Sequence, residues 1–132
     1  METMAVIPSD LAAAHEAEEA LLAQVARCGY SDAATFAIKL ALEEGMNNAI
    51  KHGNKFDANK TVQLAYDISE TRAVITITDQ GGGFNPSALP DPTVDENLEK
   101  PTGRGVMLIH AYMDEVAYNA AGNQVRMVKR NT

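Results

Sequence analysis

The hydrophobic pattern changes period along the chain. Residues Thr3 to Ile7 read as a short edge strand, which Pro8 and Ser9 break, with Ser9 placed to cap the helix that follows. From Asp10 to Cys28 the positions Leu11, Ala14, Ala17, Leu21, Val25 and Cys28 keep one helix face apolar. Glu16, Glu18 and Glu19 are expected mostly on the other faces, and Gly29 is a natural stop. Ser31 is placed to cap a second helix, with Asp32 in its first turn, running to about His52 and ending at Gly53. Ile38, Leu42, Gly45 and Ala49 form one stripe of that helix, of the kind that packs on a sheet. Ala37, Ala41, Glu44, Asn48 and His52 form a second stripe, which turns polar halfway along, as where a helix leaves the core and borders a pocket.

The period then becomes two. Val62, Leu64, Tyr66 and Ile68 alternate with polar or small residues, and after the turn Ser69-Glu70-Thr71 comes the β-branched run RAVITITD, so residues 61–79 predict an antiparallel hairpin. Phe84 to Thr102 holds four prolines and no periodicity. A loop this long in a small domain is usually functional or mobile. Arg104 to Tyr112 looks helical, and DEVAYN and NQVRMVKR, joined by a turn around Ala121-Gly122, make a closing hairpin. The order predicts an α+β sandwich, with helices on one face of a mostly antiparallel sheet.

Composition narrows the class. At 132 residues the chain is one domain, with no Trp and few Phe. Its formal net charge of −7 argues against wrapping a nucleic-acid backbone as a general activity. The single cysteine, Cys28, forbids an intramolecular disulfide and reads as a small buried apolar residue. No apolar run approaches the ~20 residues of a membrane span. The N-terminal METMAVIPSD lacks the basic and apolar regions of a signal peptide. A cytoplasmic setting is therefore expected.

Three stretches carry candidate chemistry. In EEGMNNAIKHGN, Glu44 and Asn48 are one helical turn apart and can reach one small site. An amide oxygen suits a magnesium ion that keeps most of its shell from water and phosphates. A carboxylate one turn away can take a proton from an attacking hydroxyl. Both can equally lie on a solvated face, and Glu43 and Asn47 have the same spacing. His52 reads as a helix C-cap or as a group in phosphate chemistry. Asp79 ends a strand where a carboxylate is costly unless paired. It can accept from an adenine amine, or open an Asx turn into Gly81, Gly82 and Gly83, which permit positive φ and close approach to a ligand. Gly103 and Gly105 flank Arg104 before a helix whose N–H groups favour phosphate oxygens. Arg104 either adds a charge-assisted contact there or points to solvent.

In this order the motifs resemble the ATP-binding site of the superfamily that unites DNA gyrase, Hsp90-type chaperones, histidine kinases and mismatch-repair ATPases. Glu44-x-x-x-Asn48 is similar to its N box and Asp79-x-Gly81-x-Gly83-Phe84 to its first glycine box. Thr102-Gly103-Arg104-Gly105 is similar to the second glycine box, and the segment between (about 85–102) to the ATP lid. Small size and the MDEV segment, Met113 to Val116, give a resemblance over nearly the full length to anti-sigma factor serine/threonine kinases, whose EAxxNAxxHG pattern EEGMNNAIKHGN approaches. Gly45 departs from the usual Ala after the glutamate, Arg104 stands where an apolar residue is common, and Lys100-Pro101-Thr102 lacks an arginine that some members have.

The resemblance implies a Bergerat-type two-layer sandwich, its mostly antiparallel sheet covered on one face by about three helices, in a single domain over residues 1–132. It implies Glu44 as general base, Asn48 as magnesium ligand and Asp79 as the adenine-binding residue. Gly81, Gly83, Gly103 and Gly105 would let backbone approach the nucleotide, with Thr102 and Arg104 close to the phosphates. ATP and Mg2+ would be the cofactors. The partner would be a small STAS anti-anti-sigma protein phosphorylated on serine or threonine. Many such kinases also sequester a sigma factor, often as homodimers, and no nucleic-acid or membrane partner is expected. The alternative is a nucleotide-dependent anti-sigma or adaptor module with little or no kinase activity. A detached histidine-kinase domain is less favoured, because no separate helix bearing a phosphoacceptor histidine is present.

Overall fold

Alternation of apolar and polar residues becomes pairing of strands. The computed structural model describes residues 2–81 and 103–132, with the backbone alone at 103 and 104. In chain order these form β1 (Thr3–Pro8), α1 (Leu11–Arg27), α2 (Asp32–Asn47), β2 (Thr61–Ile68), β3 (Arg72–Thr78), α3 (Gly103–Tyr112), β4 (Glu115–Tyr118) and β5 (Gln124–Arg130). The five strands form one sheet in the order β1-β2-β3-β5-β4, every neighbouring pair antiparallel. The expected α+β sandwich is thus observed.

Period two puts Val62, Leu64 and Tyr66 of β2 on the same face as Ala73, Ile75 and Ile77 of β3 and Val125 and Met127 of β5. All eight are buried. Ile75 stands opposite both Tyr66 and Met127, and Ile77 opposite Leu64 and Val125, so the apolar face is continuous across the centre of the sheet. Met4, Val6, Gln63 and Arg126 face the other way and are exposed. The helices cover the first face. Ile38, Leu42, Gly45 and Ala49, the stripe expected to meet the sheet, are all buried, as are Leu21 and Val25 of α1 and Ile109 of α3.

Two local expectations change. Ser9 is not the cap of α1: Asp10 takes that place, its carboxylate accepting the Ala12 N–H at 3.1 Å. The Ser9 hydroxyl donates instead to Lys60 O at 2.7 Å and accepts from Asn54 Nδ2 at 3.0 Å, joining the β1–α1 corner to the approach to β2. A carboxylate outcompetes a hydroxyl for an exposed N–H group, which frees the serine for a buried contact. Glu18 is not on a solvated face either. It is buried between α1 and α2, with His15 Nδ1 3.3 Å from its carboxylate, and burial pushes its pKa up.

Ser31 caps α2 as expected, accepting the Ala34 N–H at 3.1 Å. After Asn47 the helix widens into a π-helical turn over Asn48–Gly53, closed by Asn54 N–H to Ala49 O at 2.8 Å. Such turns are rare and cluster at functional sites. This one carries the C-terminal half of the EEGMNNAIKHGN motif.

Candidate nucleotide site

The wide turn at the end of α2, the end of β3, one side of α3 and the β4–β5 hairpin enclose a cleft of about 470 Å³, solvent-filled space included. α2 and its π-helical turn contribute Gly45, Asn48, His52 and Gly53. The end of β3 contributes Ile77 and Asp79, α3 contributes Ile109, and the hairpin contributes Tyr118, Asn123 and Gln124. One wall is aliphatic and the rest presents amide, carboxylate and imidazole groups. Ligand pockets combine an apolar lining with a few polar groups in this way.

Asp79 is the most constrained of these residues. Its N–H donates to Asn123 O at 2.9 Å, and its carbonyl accepts from Asn123 Nδ2 at 3.0 Å. Oδ1 accepts the Gly81 N–H at 2.8 Å, so the Asx turn forms. Oδ2 has no hydrogen-bond partner among the described residues. Burial pushes the Asp79 pKa up; the Gly81 N–H and the Lys60 charge oppose the shift without cancelling it. A half-buried carboxylate with one oxygen held and the other without a partner among the described residues can accept a donor from a ligand.

Two glycines make this possible. A Cβ on Gly53 would lie 2.5 Å from Asp79 Cγ and 2.6 Å from Oδ2. A Cβ on Gly81 would overlap the Gly53 carbonyl. The helix end and the strand end therefore touch backbone to backbone beside the carboxylate, an approach open only to glycine.

The two registers of the helix motif separate in space. Asn48 lines the cleft; Glu44, half-buried one turn before it, is not among the lining residues. Glu43 faces the opposite way, into a separate cleft with His15, Glu18 and Lys39 between α1 and α2. Asn47 is not part of the cleft lining. Gly103 begins α3, and Gly105 is buried in its first turn. Gly83, Thr102 and the expected lid (85–102) lie outside the described residues, as does the side chain of Arg104.

His52 is half-buried in the cleft, and burial, with Lys51 beside it, lowers its pKa. The Tyr118 hydroxyl is pushed up to about 12 by burial, so it stays protonated. No group of three or more His, Cys, Asp or Glu among the described residues can hold a metal ion. A magnesium ion that brings phosphate oxygens with it needs only one or two protein oxygens, and Asn48 can supply one. The Asn48 amide thus fits a metal carried by a nucleotide. Asn123, Gln124 and Tyr118 were not evident as site residues from sequence. The cluster Asn119 to Gln124 reads there only as a turn.

The described helices include none long and apolar enough to cross a membrane. Comparison with known proteins gives concordant results. The profile of the histidine kinase-like ATPase domain matches residues 7–129. Serine-protein kinase RsbW of Bacillus subtilis is 31% identical over 112 residues, covering 78% of this chain and 69% of that protein. The proteins of the same name from Staphylococcus epidermidis and Staphylococcus aureus are 33% and 32% identical over 99 residues, and the chain spans 62% of their length. Five antiparallel strands and three α-helices among the described residues, a matching profile over nearly the whole chain and relatives above 30% identity lead to one conclusion: the chain belongs to the histidine kinase-like ATPase family, among relatives of the serine-protein kinase RsbW type.

Proposed function

We propose that the protein binds ATP with its magnesium ion and transfers the γ-phosphoryl group to a serine or threonine of a small STAS anti-anti-sigma protein, and through that cytoplasmic partner regulates a sigma factor. The observation that carries this reading is the convergence of Asn48 and Asp79 on one cleft beside the Gly53–Gly81 contact. Family membership and the kinase names of the relatives support it.

In this reading Asp79 accepts the adenine amine, which places the base at the β3 end of the cleft. Asn48 then lies toward the phosphates, where its amide oxygen holds the ion that accompanies them and neutralises part of their charge. Glu44, one turn before Asn48, takes the proton of the incoming hydroxyl. The new bond joins that oxygen to the γ-phosphorus, the bond from phosphorus to the β–γ bridging oxygen breaks, and ADP leaves. Gly103 and Gly105, with the N–H groups at the start of α3, approach the phosphates together with Thr102, Arg104 and Gly83.

The test is a phosphotransfer time course with magnesium, labelled ATP and a co-encoded STAS protein. Glu44→Gln should keep nucleotide affinity within a few-fold and slow transfer by roughly 10²–10⁴-fold. Asn48→Ala should weaken both. Transfer by Glu44→Gln at the wild-type rate removes Glu44 as the base. Tight binding of the STAS protein without any transfer by the wild type replaces the kinase with an adaptor.

A further inference from the structure

The hydrogen bonds around Asp79 lead to a side chain outside the cleft lining. We propose that Asn54 is a positioning residue for the nucleotide, holding the Asp79 carboxylate where an adenine amine meets it. The proposal rests on the reading of Asp79 given above.

Asn54 is 1% exposed, the least exposed polar residue among those described. Its side chain is fully used. Nδ2 donates to Ser9 Oγ and to Thr61 O, both at 3.0 Å, and Oδ1 accepts the Gln80 N–H at 2.8 Å. One amide thus joins the β1–α1 corner, the start of β2 and the residue that follows Asp79. Gln80 closes the ring, its Oε1 accepting the Thr61 N–H at 2.6 Å.

The neighbours of Asn54 give this arrangement a direction. Gly53, immediately before it, is the surface on which the Asp79 carboxylate lies. Gln80 N–H, which Asn54 captures, belongs to the peptide immediately after Asp79. The pair Gly53-Asn54 therefore contacts the carboxylate itself and the backbone that aims it. Immediately after Asn54, Lys55 (φ 51°) and Phe56 (φ 57°) are both left-handed, a conformation that residues with a Cβ disfavour. Phe56 N–H to Ile50 O at 2.9 Å and the Asn54 bonds hold that reversal. Without the amide, the strained reversal and the Asp79–Gln80 peptide lose the group that links them. That peptide is then held from the Asn123 side alone, and the carboxylate loses part of the support that keeps it on Gly53.

The experiment is calorimetric titration of ATP and of purine riboside triphosphate, which lacks the exocyclic amine. It uses the full chain as wild type, Asn54→Ala, Asp79→Asn and the double variant, below their melting temperatures. Asn54→Ala should lower ATP affinity by about tenfold, change the affinity for the amine-free nucleotide by less than about twofold, and cause no further loss when added to Asp79→Asn. A purely structural role would lower the melting temperature and weaken both nucleotides alike. Equal losses for the two nucleotides, or additive losses in the double variant, overturn the proposal. If Asp79→Asn by itself leaves ATP binding unchanged, the adenine reading has failed and this inference falls with it, an outcome distinct from a failure of Asn54 alone. Should Asn54→Ala not fold, amide exchange at Gln80 in the wild type decides. ATP should slow it by about tenfold or more, and not in Asp79→Asn. Exchange that ATP leaves unchanged overturns the proposal.

Discussion

Substituting Gly53 by alanine isolates the contact on which the site is built. The added methyl would lie 2.5 Å from Asp79 Cγ, 2.6 Å from Oδ2 and 2.7 Å from Oδ1, all inside the 3.0 Å that real Cβ atoms respect. The carboxylate has nowhere cheap to go. Its Oδ1 is held by the Gly81 N–H and its backbone by two bonds to Asn123. Relief requires breaking the charge-assisted bond to Gly81 or shifting the strand end. Overpacking of this kind costs about 1–3 kcal/mol of stability. In the proposed reading a displaced carboxylate also leaves an adenine amine unpaired, about 1–3 kcal/mol of binding, or roughly a 5- to 150-fold weaker Kd. Gly45→Ala is the natural comparison. Its Cβ would come 2.6 Å from Ile77 Cδ1, the free end of a flexible side chain that can rotate away. Alanine there also gains about 1 kcal/mol of helix propensity. Titration calorimetry with ATP, beside thermal melts of both variants, makes the measurement. Gly53→Ala should lose affinity within the stated range, and Gly45→Ala should stay within about threefold of wild type. Wild-type affinity in Gly53→Ala, or equal losses in the two variants, would refute the claim that the glycine serves the carboxylate.

Two further predictions follow from buried titratable groups. Glu18 has its pKa raised by burial, with His15 opposing and Glu43 reinforcing the shift. The folded state therefore binds the proton more tightly than the unfolded one, and stability falls as pH rises from the ordinary value of 4.5 through the raised one. Glu18→Gln should raise the melting temperature at about pH 7 and give no gain at about pH 4, and equal destabilisation at both would contradict this. His52 has its pKa lowered by burial and by Lys51, so it is neutral at about pH 7. A triphosphate in the cleft favours its charged form, so ATP binding should take up protons as pH falls below the ordinary histidine value of 6.5. Binding enthalpies should then differ between buffers of different ionisation heat, and the difference should vanish in His52→Gln. Buffer-independent enthalpies in the wild type would falsify this coupling between the charge of the bound triphosphate and His52.

Residue order alone sets the periods, and with them the elements and their buried faces. Val62, Leu64 and Tyr66 had to face inward once residues 61–68 were a strand. Ile38, Leu42 and Gly45 had to meet the sheet once residues 32–47 were a helix. The order of the motifs was also legible, because it lies in residue types at fixed spacing along single elements. Spacing along one helix could not choose between Glu44–Asn48 and Glu43–Asn47. That choice depends on which side α1 covers, and packing turns Glu43 toward α1 and Asn48 into the cleft. Packing likewise gave the cap of α1 to Asp10, freed Ser9 for Asn54, and buried Glu18 on a helix whose charges looked solvated. The two amides that hold Asp79 act from 25 and 44 residues away, counted from Asn54 and Asn123 to Asp79. Periodicity records burial against a generic partner. A polar side chain's partner is set by direction and distance between segments that meet only when the sheet and helices close on one another.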